Sequence, residues 1–275
     1  MLEAKIGHAT ILRRLFDVIK DMVAEVNLDC SEEGIRLQAM DTSHVSLVSL
    51  TLEDSGFLHY RCDRERALGL NMPSVCKVFK LCGSNDSVAI HNEDDNDSVT
   101  FVFENAAEDK ISNFALKLMS IDQDALGIPE NDEAWDVVMK LPSKEFSNTC
   151  RTMQEFSDTL RIEVDKNGIK FCTAGDVGRG AVVLKPREAN GDDDVGVELK
   201  VRNPVNQSYA VKHLNQFAKA GSLCDSVTIS LSSDKPIEVR FEITDKLDDA
   251  DAKTRMGEIK FFLAPKMDDD DATME

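Results

Sequence analysis

The sequence predicts an α+β protein of two similar β-rich domains, each carrying two helices. Three observations predict it. Six short segments recur in the same order in the two halves of the 275-residue chain. Most of them alternate apolar and charged residues with the period of a strand. Four further segments repeat apolar residues every three or four positions, the period of a helix. A hydrophobic content of 42% is enough to bury a core without disulfides or metals.

The first repeated element is a helix before a hairpin. In the first half it is read over His8–Ala24, where Ile11, Leu12, Leu15, Ile19, Met22 and Val23 form an apolar stripe. In the second half it is Ser143–Gln154. Each hairpin follows: Val26–Asp29 leads to Gly34–Leu37, and Ile162–Asp165 leads to Gly168–Phe171. The glycine is expected where the turn needs positive φ. A second helix is read over Met72–Cys82, ending at Gly83, and its counterpart over Tyr209–Ala220, ending at Gly221. Three strands complete each copy. Ser87–Ile90 matches Ser226–Ile229, Val99–Glu104 matches Ile237–Glu242, and Phe114–Leu118 matches Ile259–Leu263. The expected domains are therefore 1–119 and 135–266. Between them 120–134, with Gly127-Ile128-Pro129, reads as a connector. Residues 267–275 read as an acidic C-terminal tail. The acidic stretch Asp245–Met256 reads as a loop inserted in the second copy.

Composition excludes several classes. No apolar run is long enough to cross a membrane, and Met1–Arg14 lacks a signal-peptide pattern, so an intracellular protein is expected. The 7 cysteines are odd in number and none form Cys-x-x-Cys, so buried reduced thiols are expected. Gly175–Gly180 has glycines without the strand–glycine–helix context of a dinucleotide site, and no Walker pattern exists. Asp94–Asp97 lacks the glycine and distal glutamate of a calcium loop. His8, His44, His59, His91 and His213 have no zinc spacing. Three Asn-x-Ser sites, at Asn85, Asn96 and Asn206, carry no meaning without a secretion signal. No enzyme, cofactor or metal site is expected.

The charge is distributed unevenly. Arg13, Arg14, Lys20, Lys77, Lys80, Lys144, Arg151, Lys212 and Lys219 lie on the four helical segments, against only Asp17, Asp21 and Glu145. The whole chain has a net charge of −19. If the helices form one layer on one side of the sheets, their outer faces make a basic surface. Bases on helices without a recognition helix rich in Asn, Gln and Arg suit phosphate contact rather than base reading. Charge alone leaves ordinary solvated helix faces as an equal reading.

Longer motifs decide between them. Leu37-Gln38-Ala39-Met40-Asp41-Thr42-Ser43-His44-Val45-Ser46-Leu47-Val48, Tyr60-Arg61-Cys62-Asp63-Arg64, Leu126-Gly127-Ile128-Pro129 and Phe262-Leu263-Ala264-Pro265-Lys266-Met267 occur in that order. With them the chain closely resembles, over essentially its whole length, the eukaryotic sliding-clamp family, proliferating cell nuclear antigen. The resemblance implies the DNA clamp fold, with helices lining one face and sheets the other. Three subunits would close into a pseudo-six-fold ring around duplex DNA. The implied activity is to tether DNA polymerases and other replication and repair factors in the nucleus, with a clamp loader opening the ring. A checkpoint-ring subunit, or a regulator that binds proteins without circling DNA, would share the fold.

The resemblance also implies residue roles. Arg13, Arg14, Lys20, Lys77, Lys80, Arg151, Lys212 and Lys219 would face DNA; Asn148 stands where the family often carries a base. The pocket for partner peptides would use Met40, His44, Val45, Leu47, Leu126, Ile128, Pro129, Pro236, Phe262, Ala264, Pro265 and Lys266. Phe262 replaces a common tyrosine. Subunits would meet through Ile111–Leu118, including Ile111, Phe114 and Leu116, and through Gly178–Leu184, including Gly178, Ala181 and Val183. Lys166 matches the family's ubiquitin-acceptor lysine. No membrane partner is implied.

Overall fold

The structure is a computed structural model. It describes residues 1–94, 96–122, 135–190, 195–246 and 253–266, without the side chains of Lys246 and Lys253. Two compact units are present: residues 1–127 with 242–259, and 128–241 with 260–275.

The first half of the chain runs β1 (Leu2–Ile6), α1 (Ala9–Lys20), β2 (Glu25–Ser31), β3 (Gly34–Met40), β4 (Ser46–Glu53), β5 (His59–Cys62), β6 (Arg66–Asn71), α2 (Met72–Phe79), β7 (Ser87–Asn92), β8 (Ser98–Asn105) and β9 (Lys110–Lys117). The second half runs β10 (Val137–Pro142), α3 (Ser143–Gln154), β11 (Thr159–Asp165), β12 (Gly168–Gly175), β13 (Gly178–Leu184), β14 (Glu198–Val201), β15 (Val205–Ala210), α4 (Val211–Ala218), β16 (Ser226–Leu231), β17 (Ile237–Lys246) and β18 (Lys253–Leu263). The two halves carry the same elements in the same order. Their sheets repeat as well. The first half orders its strands β5-β1-β7-β8-β9 and β4-β3-β2-β6; the second orders them β14-β10-β16-β17-β18 and β13-β12-β11-β15. The repeat read from six short matches therefore extends to every described strand.

Local chemistry explains the elements. In α1, Ala9, Leu12, Leu15, Phe16 and Ile19 are buried at spacings of one, three and four, so one stripe faces the sheets. The Asn71 side chain caps α2 by accepting from the Ser74 backbone N–H at 3.1 Å, and Pro73 occupies the first turn, where its missing N–H costs nothing. The strand burial alternates, as in β8 and β11. Gly34, at φ +132°, opens β3; a Cβ there would lie 2.0 Å from the Leu52 carbonyl oxygen. Only glycine tolerates both the angle and the approach.

Each unit has an aromatic centre. Phe79 of α2 packs edge-on against Phe16, Phe101 and Phe103 at 5.0, 5.3 and 5.2 Å between ring centroids. In the second unit Phe217 of α4 stacks on Phe261 of β18 at 4.8 Å. Burying each such ring contributes roughly 1.5–3 kcal/mol.

Several boundaries differ from the sequence reading. The first helix covers Ala9–Lys20; His8 is extended, and Met22 and Val23 lie past its end, though both are buried. Ile11, assigned to the buried stripe, is only half-buried, and Phe16 and Val18 take its place. The second helix stops at Phe79, so Lys80 is its C-cap. Tyr209 and Ala210 belong to β15, where Tyr209 pairs with Leu160. Their sheet partners outweigh the helical periodicity that continues into them. Lys219 lies in the short 3-10 turn Lys219–Ser222 after α4. The stretch read as an inserted loop is partly strand: Asp245 and Lys246 end β17 and Lys253–Met256 open β18. Asp245 and Met256 are buried, and the Asp245 carboxylate lies 2.7 Å from His8 Nδ1.

The cysteines mostly follow expectation. All seven are free; Cys30, Cys76, Cys82 and Cys150 are buried, while Cys62, Cys172 and Cys224 are half-buried. Burial pushes the Cys30 and Cys76 thiols up, to about 12 and about 11, which keeps them protonated and unreactive.

Candidate functional site

The helices pair within each unit, α1 with α2 and α3 with α4. In the first unit Arg14, Lys77 and Lys80 are exposed, and Arg13 and Lys20 are half-exposed. Lys20 donates to Asp17 at 3.1 Å and lies 3.9 Å from Asp21. The Asp17 bond, working against partial burial, raises its pKa and fixes its charge. Those two carboxylates also offset part of the local positive potential. In the second unit Arg151, Lys212 and Lys219 are exposed. Arg151 donates to Asn148 at 2.8 Å, so the residue standing in a basic position holds a neighbouring guanidinium.

The described residues assigned to peptide capture fall at three places along the chain. The β3–β4 turn carries Met40, His44, Val45 and Leu47. Val45 is 40% exposed although apolar, whereas Leu47 is buried. At the end of β18, Phe262 is half-buried and Ala264, Pro265 and Lys266 are exposed. Pro236 is exposed just before β17. Leu126, Ile128 and Pro129 lie outside the described residues.

One residue of the turn escapes a reading of roles from sequence. Asp41 is 8% exposed and organises the turn from its centre. Its Oδ1 accepts from the backbone N–H of Val45 at 3.0 Å and of Ser46 at 2.8 Å. Its Oδ2 accepts from the Ser43 N–H at 3.2 Å and from the Ser43 hydroxyl. His44 is held at φ +56°, a region that non-glycine residues seldom occupy. The Asp-x-Ser spacing, an Asx-turn signature, is the signal that could reveal it.

Burial alone would raise the Asp41 carboxyl, but the bonds from Ser43 and Ser46 outweigh it and hold it below the usual range. Its folded value lies below its unfolded one. The stabilisation is therefore complete above roughly pH 4 and is lost as pH falls through the depressed folded value. Asp41→Ala should lower unfolding stability by about 2 kcal/mol, because buried N–H groups lose a charged acceptor. Urea unfolding at pH 7 measures this. A drop below about 0.5 kcal/mol would mean the turn is held by its other interactions.

The two segments assigned to subunit contact are both sheet edges. β9 ends the sheet β5-β1-β7-β8-β9, and β13 ends the sheet β13-β12-β11-β15. Neither strand has a buried residue. Ile111 is 65% exposed and Val183 is 57% exposed. Long edges with exposed apolar residues are unusual on a solitary protein because they invite pairing. Lys166 is exposed in the β11–β12 turn. The Asp165 carboxylate accepts there from the Asn167 and Gly168 N–H groups.

Other chemistry is sparse. Among the described residues no group of three His, Cys, Asp or Glu side chains is arranged to hold a metal, and no helix is long and apolar enough to cross a membrane.

Comparison with known proteins agrees with this arrangement. Residues 1–126 match the family described as proliferating cell nuclear antigen, N-terminal domain, and residues 127–266 match its C-terminal domain. The chain is 54% identical over 262 residues to proliferating cell nuclear antigen 1 of Plasmodium falciparum, isolates K1 and 3D7, covering 95% of each chain. A duplicated clamp architecture, open sheet edges and two family matches that together run from residue 1 to 266 lead to one conclusion: the chain belongs to the proliferating cell nuclear antigen family, and is a non-catalytic DNA sliding clamp that serves as a processivity factor in replication.

Proposed function

We propose that three copies of this chain close head to tail into a ring, with β9 of one subunit pairing with β13 of the next. The internal repeat carries this reading. By position in the two halves, β9 corresponds to β18 and β13 corresponds to β4. Within the first unit, residues 253–259 of β18 lie beside β4, and Gly257 approaches the Thr51 carbonyl so closely that a Cβ would sit 2.0 Å from it. The chain thus already makes one such junction. β9 and β13 are the two halves of a second, left open. Different edges meet, so the contact is heterologous, and a rotation that closes gives a ring.

In this reading the domains are 1–119 and 135–266, joined by 120–134. Arg13, Arg14, Lys20, Lys77, Lys80, Arg151, Lys212 and Lys219 face the duplex. Weak, exchangeable phosphate contacts suit a ring that must slide, because persistence comes from topology. A clamp loader would place the ring on DNA in the nucleus. DNA polymerases and other factors would be captured as short peptides by residues of the β3–β4 turn, the connector and the end of β18. Val45 and Pro265 offer exposed apolar surface for aromatic anchors, and Met40 gives the surface adaptability. Lys166, exposed on a turn, is the modification candidate.

Ile128→Ala combined with Pro236→Ala tests the capture site. Titration with a fluorescent clamp-binding peptide should show at least about a tenfold weaker Kd, the equivalent of removing roughly 1.4 kcal/mol of apolar contact. An unchanged titration would place peptide capture elsewhere.

A further inference from the structure

The β3–β4 turn holds a thioether and an imidazole in contact. Met40 ends β3 and pairs with Leu47 of β4, and His44 stands between them in the turn. His44 Nδ1 lies 3.1 Å from Met40 Sδ. A thioether has no proton to give, so Nδ1–H is the donor and sulfur the acceptor. The backbone imposes this contact. The Asp41 carboxylate accepts from the N–H groups of Ser43, Val45 and Ser46, and the His44 N–H donates to the Asp41 carbonyl at 3.0 Å. His44 is thereby held at φ +56°. Strained residues gather at functional sites, and here the strained residue is the one that reaches back to sulfur.

Met40 is also open to solvent. Among the described methionines, Met22, Met72, Met139, Met153 and Met256 are buried. Met1 and Met40 are half-buried and Met119 is exposed. Burial protects a thioether because an oxidant in water does not reach the sulfur. Of the three open ones, the Met40 sulfur is the one that meets a ring N–H.

We propose that Met40 is a site of reversible oxidation by hydroperoxides, and that its sulfoxide, held by His44, switches peptide capture off. This rests on the reading that the β3–β4 turn captures peptides. A sulfur lone pair attacks the nearer oxygen of hydrogen peroxide. The O–O bond breaks, its electron pair leaves on the far oxygen, and the proton of the transferred oxygen follows to give water. Sulfur loses two electrons and the peroxide gains them. Thioether sulfur is a weak acceptor, whereas the sulfoxide oxygen carries substantial negative charge, so Nδ1–H donates to it more strongly. The oxidised side chain is polar where the reduced one is apolar and adaptable. Pinned to His44, it puts that polarity beside Val45, an exposed apolar residue of the same turn. An apolar anchor must then desolvate a polar group in order to dock. Methionine sulfoxide reductases reverse the change: two thiols become a disulfide and the oxygen leaves as water.

Peroxide treatment of the full-length chain tests this. A thiol reductant added afterwards reverses disulfides and sulfenic acids and leaves sulfoxides in place. Peptide mass spectrometry should show Met40 oxidised at least about tenfold faster than the buried Met72, Met139 and Met256. Titration with a fluorescent clamp-binding peptide should then show a Kd at least about fivefold weaker, restored by the two sulfoxide reductases together. Each variant is compared with itself before and after peroxide. The change in Kd should vanish in Met40→Leu. In His44→Gly, which keeps the left-handed backbone but loses the donor, it should be at least about twofold smaller than in the parent. An unchanged Kd with Met40 fully oxidised would overturn the proposal. So would a Met40→Leu protein that loses capture to the parent's degree, or a His44→Gly protein with the parent's full change. Ile128→Ala with Pro236→Ala separates the switch from the reading beneath it. If that pair weakens capture and Met40 oxidation does not, the switch falls and the capture site stands; if neither does, both fall.

Discussion

Glutamate at both Ile111 and Val183 should convert the proposed ring into monomers at concentrations where the unaltered protein assembles. Both side chains are exposed, at 65% and 57%, so neither substitution disturbs a core. Each junction of the proposed ring would contain one copy of each residue. Removing both from water stabilises a junction by roughly 2–4 kcal/mol, since each is about six-tenths exposed and full burial gives about 1.5–3 kcal/mol per side chain. Replacing them with two carboxylates removes that term and adds like-charge repulsion across the paired edge. The equilibrium at each junction should shift by at least about a hundredfold. Sedimentation velocity across a dilution series measures it, and far-UV circular dichroism with urea unfolding shows that each monomer keeps its fold. A trimer that persists at the same dilution as the parent would remove β9 and β13 from the interface.

The repeat is readable because it is written in periodicity. The hairpin glycines Gly34 and Gly168 fall where the structure has them, since turn chemistry is local; Gly178–Leu184 comes from the family resemblance and not from periodicity. Helix ends are not readable to the residue. Tyr209 and Ala210 look helical beside Val211–Ala218, yet their partners on β11, Leu160 and Thr159, lie about fifty residues away and pull them into the sheet. A similar long-range term moves Asp245 from loop to strand: its carboxylate meets His8, more than two hundred residues earlier. The basic residues are legible as a set, because an excess of charge on helices is a property of composition. Their electrostatic worth is not, because the Lys20–Asp17 and Arg151–Asn148 bonds exist only once side chains are placed. Asp41 sits inside the most diagnostic motif, and only its Asx-turn spacing to Ser43 marks it as a structural centre. Its role lies in four bonds to its own turn, which no apolar periodicity reports.

Charge reversal on the helices will separate ring assembly from DNA retention. Lys77, Lys80, Arg151 and Lys212 are exposed and none lies on β9 or β13, so Lys77→Glu, Lys80→Glu, Arg151→Glu and Lys212→Glu together are expected to leave the proposed trimer assembled, which sedimentation velocity checks. Lys20 is left alone because its ammonium is bonded to Asp17 and its removal would also disturb α1. Each reversal replaces an attraction to phosphate with a repulsion. Each phosphate that goes unneutralised flattens the dependence of log K on log salt by about 0.9. With four positions in each of three subunits, weak individual repulsions sum to a barrier against threading a duplex. Loading onto nicked circular DNA, followed by ligation and gel filtration, should show recovery on DNA reduced at least about tenfold at 50 mM salt. Rings already trapped on the closed circle should still dissociate slowly, because topology rather than affinity holds them. A linear template separates the two effects: there both proteins slide off, and only the loading difference survives. If recovery on closed circles matches the parent while the trimer is intact, these helix faces do not meet the phosphates, and the cations on α2, α3 and α4 are ordinary solvated charges.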